Sequence, residues 1–221
     1  MRSGTNFLEF LITNFFEIIP VEYEHKNKYG WKHGPFQPFD KCNHIIIFKD
    51  IYSWLRSIYL YVRQNRQWHL PNYFPFDKSE SFSEFIRSSF HHRQFSNTVI
   101  DEEDPICYWN KINRYWLETP LEGKKIFIYY EKLLTDTENQ LNELKRKLSF
   151  KDCSHNVKYP SGRIDFFGYR YKKISKSPDY YKYNFYKNKE YMNLYSAKDL
   201  EYVNLHYDKN LYDAMMQQSI K

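Results

Sequence analysis

Arg2-Ser3-Gly4-Thr5 stands directly before Phe7, Leu8, Leu11, Phe15 and Ile18, whose spacing is that of the apolar face of a helix. Small residues suit a tight turn with exposed backbone N–H groups. A helix that starts there aims the positive end of its dipole at whatever fills the turn. The chemistry is that of a cradle for an anion, with Arg2 as a side-chain clamp; an N-terminal tail with an accidental Ser-Gly-Thr is the plain alternative. Two further places set polar groups at a structural junction. Lys49 closes the apolar run "HIIIFK", with Ser57 eight residues later, and Lys32-His33 stands just before the turn Gly34-Pro35.

The elements that must position these groups are legible in outline. "HIIIFK" (44–49) and "KIFIYY" (125–130) are short continuous apolar runs, the pattern of strands covered on both faces in a parallel sheet. "IYSWLRSIYLYVR" (51–63) reads as a helix directly after the first strand. Thr135 with Glu138 makes a capping box for a second helix, with Leu141, Leu144 and Leu148 as its buried stripe and Lys145, Arg146 and Lys147 in its last turn. Ser196 and Asp199 cap another, which carries Leu200, Val203, Tyr207 and Leu211 on one face. Residues 66–105, including His91-His92, show no strong period and read as loop plus short helices over one face, where an α/β enzyme usually shapes its ligand pocket. Strands alternating with helices predict an α/β fold.

The bulk numbers narrow the class. The 221 residues suit one domain, 1–221, with a substantial core. A net charge of +6 fits an anionic ligand, a nucleic acid or an acidic surface, and chooses between none of them. No apolar run has the length of a transmembrane segment. The stretch 7–19, which comes nearest to a signal peptide, is interrupted by Glu9, Thr13, Asn14 and Glu17 and has no small-residue cleavage site, so an intracellular, cytoplasmic chain is expected. Cys42, Cys107 and Cys153 are odd in number and widely spaced, which argues against a disulfide framework and a zinc site. The 22 tyrosines accompany abundant Asn and Lys and scarce Gly, so compositional drift explains them as well as function does.

In order along the chain, these motifs resemble those of the PAPS-dependent sulfotransferases. "RSGTNF" looks like the family's phosphosulfate loop, and "WKHGP" resembles the Lys/His turn that supplies its catalytic base. "KDIYSWLRS" is similar to its 3′-phosphate element, a basic residue at a strand end followed eight residues later by Ser. "CYWNKINRYWLE" resembles its Trp-Asn-to-Trp helix, and "YYEKLLTD" its Tyr-Glu-x-Leu segment. The likeness lies in motif order and spacing over nearly the whole chain.

The resemblance implies a P-loop-like α/β fold with a parallel central sheet flanked by helices. It implies transfer of a sulfuryl group from PAPS to a hydroxyl or amine acceptor, with PAP as product. The backbone from Ser3 through Gly4 and Thr5 to Asn6 would hold the 5′-phosphosulfate, and Arg2 would reach the oxygen bridging phosphate and sulfate. Phe7 would lie beside the adenine. Lys49 and Ser57 would bind the 3′-phosphate, His33 would take the acceptor's proton, and Lys32 would help hold the donor. No metal is implied. A carbohydrate is the first expectation for the acceptor, on the breadth of the class alone; lipid, small alcohol and protein tyrosine stay open.

The chemistry accounts for the residue types. Sulfuryl transfer resembles phosphoryl transfer, an in-line displacement in which negative charge grows on the leaving oxygen. Preorganised N–H donors and an arginine answer that charge. An imidazole titrates near neutrality and suits the base role. The 3′-phosphate carries nearly two charges, which a lysine and a hydroxyl at a helix start can match.

Departures from the family pattern are plain. The family has a buried strand just before the loop, and here only Met1 precedes it, so the usual first strand is missing: a truncated chain, a start placed too late, or a sheet that tolerates the loss. Lys49 stands where arginine is commoner, and Ile51 where proline is usual. The late Arg-Lys-Gly triplet is not evident, and Arg163, Arg170, Lys172 and Lys173 are its possible replacements.

Each residue also has a plainer reading. Lys49 alone is an ordinary strand-end residue and Ser57 a plain helix residue; His33 is one of eight histidines. Tyr130 reads as a core strand residue rather than an adenine contact. His91-His92 has no carboxylate or Cys at ligand spacing, so no metal site is expected there. An NTPase would need GxxxxGK[ST], which is absent. "YRYKKISKSPDYYKYNFYKNKEY" mixes cations and aromatics as a nucleic-acid surface does, but carries no recognised motif, and no nucleic-acid partner is expected. A degenerate relic that binds the nucleotide without turnover is the third alternative.

Overall fold

The computed structural model describes residues 7, 8, 11, 12, 15, 16, 43–64, 81–88, 90–93, 99–102, 104–151, 164–167, 170–173 and 183–220. The two apolar runs form β1 (His44–Phe48) and β4 (Lys125–Tyr129), paired in parallel with Ile46 opposite Phe127 and Phe48 opposite Tyr129. The far side of β4 is met by Ser219, bridged in parallel to Phe127, and the Ile220 N–H donates to the Phe127 carbonyl at 3.1 Å.

Alternation along these strands divides the core in two. Ile46, Phe48 and Phe127 face one side. They pack against α1 (Ile51–Gln64), α2 (Phe82–Phe85), α3 (Pro105–Glu118), α7 (Ala197–His206) and α8 (Lys209–Gln218). Ile47, Ile126 and Ile128 face the other side. There they meet α4 (Tyr130–Thr135), α5 (Thr137–Leu148) and the helical residues Phe7, Leu8, Leu11 and Ile12. Helices therefore cover both faces of a small parallel sheet, an α/β arrangement that is mostly helical.

The junctions follow from local chemistry. The Asp50 carboxylate accepts from the Tyr52 N–H at 2.9 Å and the Ser53 N–H at 3.3 Å, so α1 starts within two residues of β1. Ile51, Trp54, Leu55, Ile58 and Tyr59 then form its buried stripe. Asp104 caps α3 through the N–H groups of Ile106 and Cys107, both at 2.8 Å, with Pro105 as its first residue. Lys125, at the start of β4, donates to the carbonyls of Trp116, Leu117 and Thr119 at the end of α3, each at 2.8 Å.

Three expectations change. Thr135 does not cap a helix: it ends α4, its hydroxyl donating to the Glu131 carbonyl at 3.0 Å, and Asp136 occupies the start of α5 instead. That hydroxyl, spent inside one helix, is lost to the next. The face from Leu200 to Leu211 is not one helix. Tyr207 turns extended and the Asp208 carboxylate accepts from the Leu211 N–H at 3.0 Å, which starts α8 afresh. Val203 and Leu211 still reach the same core. Within 66–105, a capped short helix, α2, is present, but so is an antiparallel hairpin, β2 (Phe90–Arg93) with β3 (Val99–Glu102), so that the expected loop at His91-His92 is a strand. Strands of four residues are too short to show a period.

A second hairpin, β5 (Ile164–Phe167) with β6 (Arg170–Lys173), holds Arg170, Lys172 and Lys173 on one strand, and it pairs with neither β1 nor β4. Among the described residues no helix is long and apolar enough to cross a membrane.

Candidate anion site at the carboxyl ends of the parallel strands

The register of the parallel pair builds the site. Because Phe48 lies opposite Tyr129, the next residues leave the sheet side by side, Lys49 and Asp50 from β1 and Tyr130 and Glu131 from β4. In an open α/β sheet this carboxyl edge is where ligands bind.

Lys49 is 4% exposed. Its ammonium donates to the Ser57 hydroxyl at 3.3 Å and to the hydroxyl of Tyr186, on α6 (Tyr183–Lys187), at 2.9 Å. The rings of Tyr130 and Tyr186 flank it, with centroids 4.3 and 4.9 Å from Nζ. Among the described residues no carboxylate lies within ion-pair distance of it. Ser57 is in place because it is two helical turns from the strand end, and its own proton goes to the Ser53 carbonyl at 2.8 Å.

Beneath Lys49 lies a carboxyl layer. Glu131 is buried and bonded to the Ser53 hydroxyl, and the Asp50 N–H points at its other oxygen from 3.5 Å. Burial pushes the Glu131 carboxyl up to about 7, against the pull of Lys49 and the Ser53 hydrogen bond. Burial likewise raises Asp50, opposed by the N–H groups of Ser53 and Tyr52. The Ser53 hydroxyl also lies 3.1 Å from the Asp50 carbonyl. With one proton to give, it satisfies both neighbours when a neutral Glu131 donates to it, which fits the upward shift.

The expected site residues divide into three sets. Lys49 and Ser57 are brought together. Phe7 is buried in the second core beside Leu8 and Leu11. Arg2, Ser3, Gly4, Thr5, Asn6, Lys32 and His33 lie outside the described residues, as does Arg163.

Three participants were missed or underrated in the sequence. Tyr130 is buried as expected, but its ring also faces the Lys49 ammonium. Glu131 had a signal, an acid directly after an apolar strand. Tyr186 had none, being one aromatic among many in a basic stretch. Comparison with protein-family models, curated proteins and solved structures found no match for the chain.

Proposed function

We propose that the chain is a sulfotransferase that moves a sulfuryl group from PAPS to a hydroxyl or amine acceptor. The observation that carries this reading is the buried Lys49 ammonium, with Ser57 at 3.3 Å, at the carboxyl end of β1. Among the described residues this buried ammonium touches hydroxyls and aromatic rings in place of water and has no carboxylate within ion-pair distance, the Glu131 acid beneath it being pushed by burial toward its neutral form. An anion with several acceptor oxygens supplies both acceptors and counter-charge, and the 3′-phosphate of PAPS is such an anion.

In this reading the backbone of Ser3 to Asn6 holds the phosphosulfate, and Phe7, which is buried in the second core, would present its ring edge beside the adenine. His33 takes the acceptor's proton while the acceptor oxygen or nitrogen bonds to sulfur and the bond from sulfur to the phosphate oxygen breaks. Arg2 and the backbone N–H groups meet the charge left on PAP. Lys32 helps hold the donor. A glycan is the first acceptor class to screen.

Isothermal titration of the full chain with PAP tests the reading, repeated on Lys49→Ala. Binding weakened at least about tenfold by the substitution supports it. No PAP binding by folded wild-type protein overturns it.

A further inference from the structure

Lys49 has a second hydroxyl neighbour, and it differs from Ser57 in one respect. The Ser57 proton is already held by the Ser53 carbonyl at 2.8 Å. The Tyr186 hydroxyl accepts from Lys49 at 2.9 Å, while its own proton has no acceptor among the described residues. An uncommitted O–H donor beside a buried ammonium is half of an oxyanion site, with the oxyanion as the complementary half.

The ring is placed independently of that hydroxyl. It meets Tyr130 edge-on at 5.5 Å and tilts against Tyr191 at 6.1 Å, and its neighbour Phe185 lies under the Arg56 guanidinium at 4.4 Å. Three side chains from outside α6, those of Tyr130, Tyr191 and Arg56, thus hold it over the end of β1.

We propose that Tyr186 is a third phosphate-binding side chain, donating its hydroxyl to the 3′-phosphate beside Lys49 and Ser57 and selecting nucleotides that carry that group. The assignment rests on the PAPS reading above. It places in α6 the late contact that the family's missing Arg-Lys-Gly triplet would have supplied.

The test is the affinity of the full chain for PAP and for AMP, which lacks the 3′-phosphate, in the wild type and in Tyr186→Phe. The substitution keeps the ring and removes only the hydroxyl. The expected result is a roughly tenfold loss of PAP affinity with AMP affinity unchanged. Unchanged or tighter PAP binding in Tyr186→Phe, while the wild type binds PAP, overturns the assignment and leaves Tyr186 as a cover over an ammonium. No PAP binding by the wild type brings down the donor reading itself. A 3-fluorotyrosine at position 186 supplies a second readout in otherwise wild-type protein. Its fluorine resonance should shift with PAP and not with AMP, and a resonance indifferent to PAP overturns the assignment as well.

Discussion

The hydroxyl of Ser53 and the carboxyl of Glu131 are hydrogen-bonded in the interior although 78 residues separate them in the chain. Ser53 lies in the first turn of α1 and Glu131 in the first turn of α4, so this one bond joins the two strand-to-helix junctions that carry the candidate site. Because the carboxyl is raised to about 7 in the folded protein from an ordinary 4.5, the folded state holds a proton that the unfolded chain releases. Its contribution to stability is therefore complete below about pH 4.5 and lost as pH rises through about 7, and it amounts to about 3 kcal/mol. Thermal melts from about pH 5 to 8 should show the wild type losing stability, with Glu131→Gln flat by comparison. Parallel profiles for the two proteins would show that Glu131 is ionised throughout.

Asp199 has the opposite sign. It completes a capping box with Ser196 and also accepts from Ser83 at 2.7 Å and Arg87 at 2.6 Å, tying α7 to α2. Burial opposes its ionisation, but the hydrogen bonds from Ser196, Arg87 and Ser83 outweigh that and hold the carboxyl at about 2, below its ordinary 3.8. Its stabilisation is present above about pH 4 and fades as pH falls through 2. Asp199→Ala should cost about 3 kcal/mol in denaturant unfolding at neutral pH, since it removes a cap and strands the Arg87 charge. A loss under about 0.5 kcal/mol would mean the cluster is a surface ornament.

Ile220 is fully buried in the second core, and its N–H is bonded to Phe127. Ile220→Ala should cost about 3 kcal/mol, whereas Leu205→Ala, at a side chain 79% exposed, should change stability by less than about 0.5 kcal/mol. Equal effects would remove the residues after α8 from the account of the sheet.

Under the proposed sulfotransferase reading the general base is His33, which follows Lys32 and precedes Gly34-Pro35 in the sequence. His33→Ala should abolish most turnover in a sulfuryl-transfer assay while leaving PAP affinity unchanged, because the base meets the acceptor and not the donor. Arg2→Ala should also abolish most turnover. Normal rates in the His33 variant remove it from the mechanism.

By itself the sequence determined the two buried strands, the helix after the first and the Ser196–Asp199 cap. Each rests on interactions within a few residues, either an apolar period or a side chain reaching its own backbone. Tertiary structure decided the rest. Ser53 found Glu131 and Lys49 found Tyr186, at separations of 78 and 137 residues, only because the parallel register sets the ends of β1 and β4 side by side and α6 folds over them. The break at Tyr207-Asp208 comes from the Asp208 cap on the Leu211 N–H, and the strand at His91-His92 from its pairing with Val99–Glu102. Where two local patterns are nearly equal in free energy, the wider packing chooses between them.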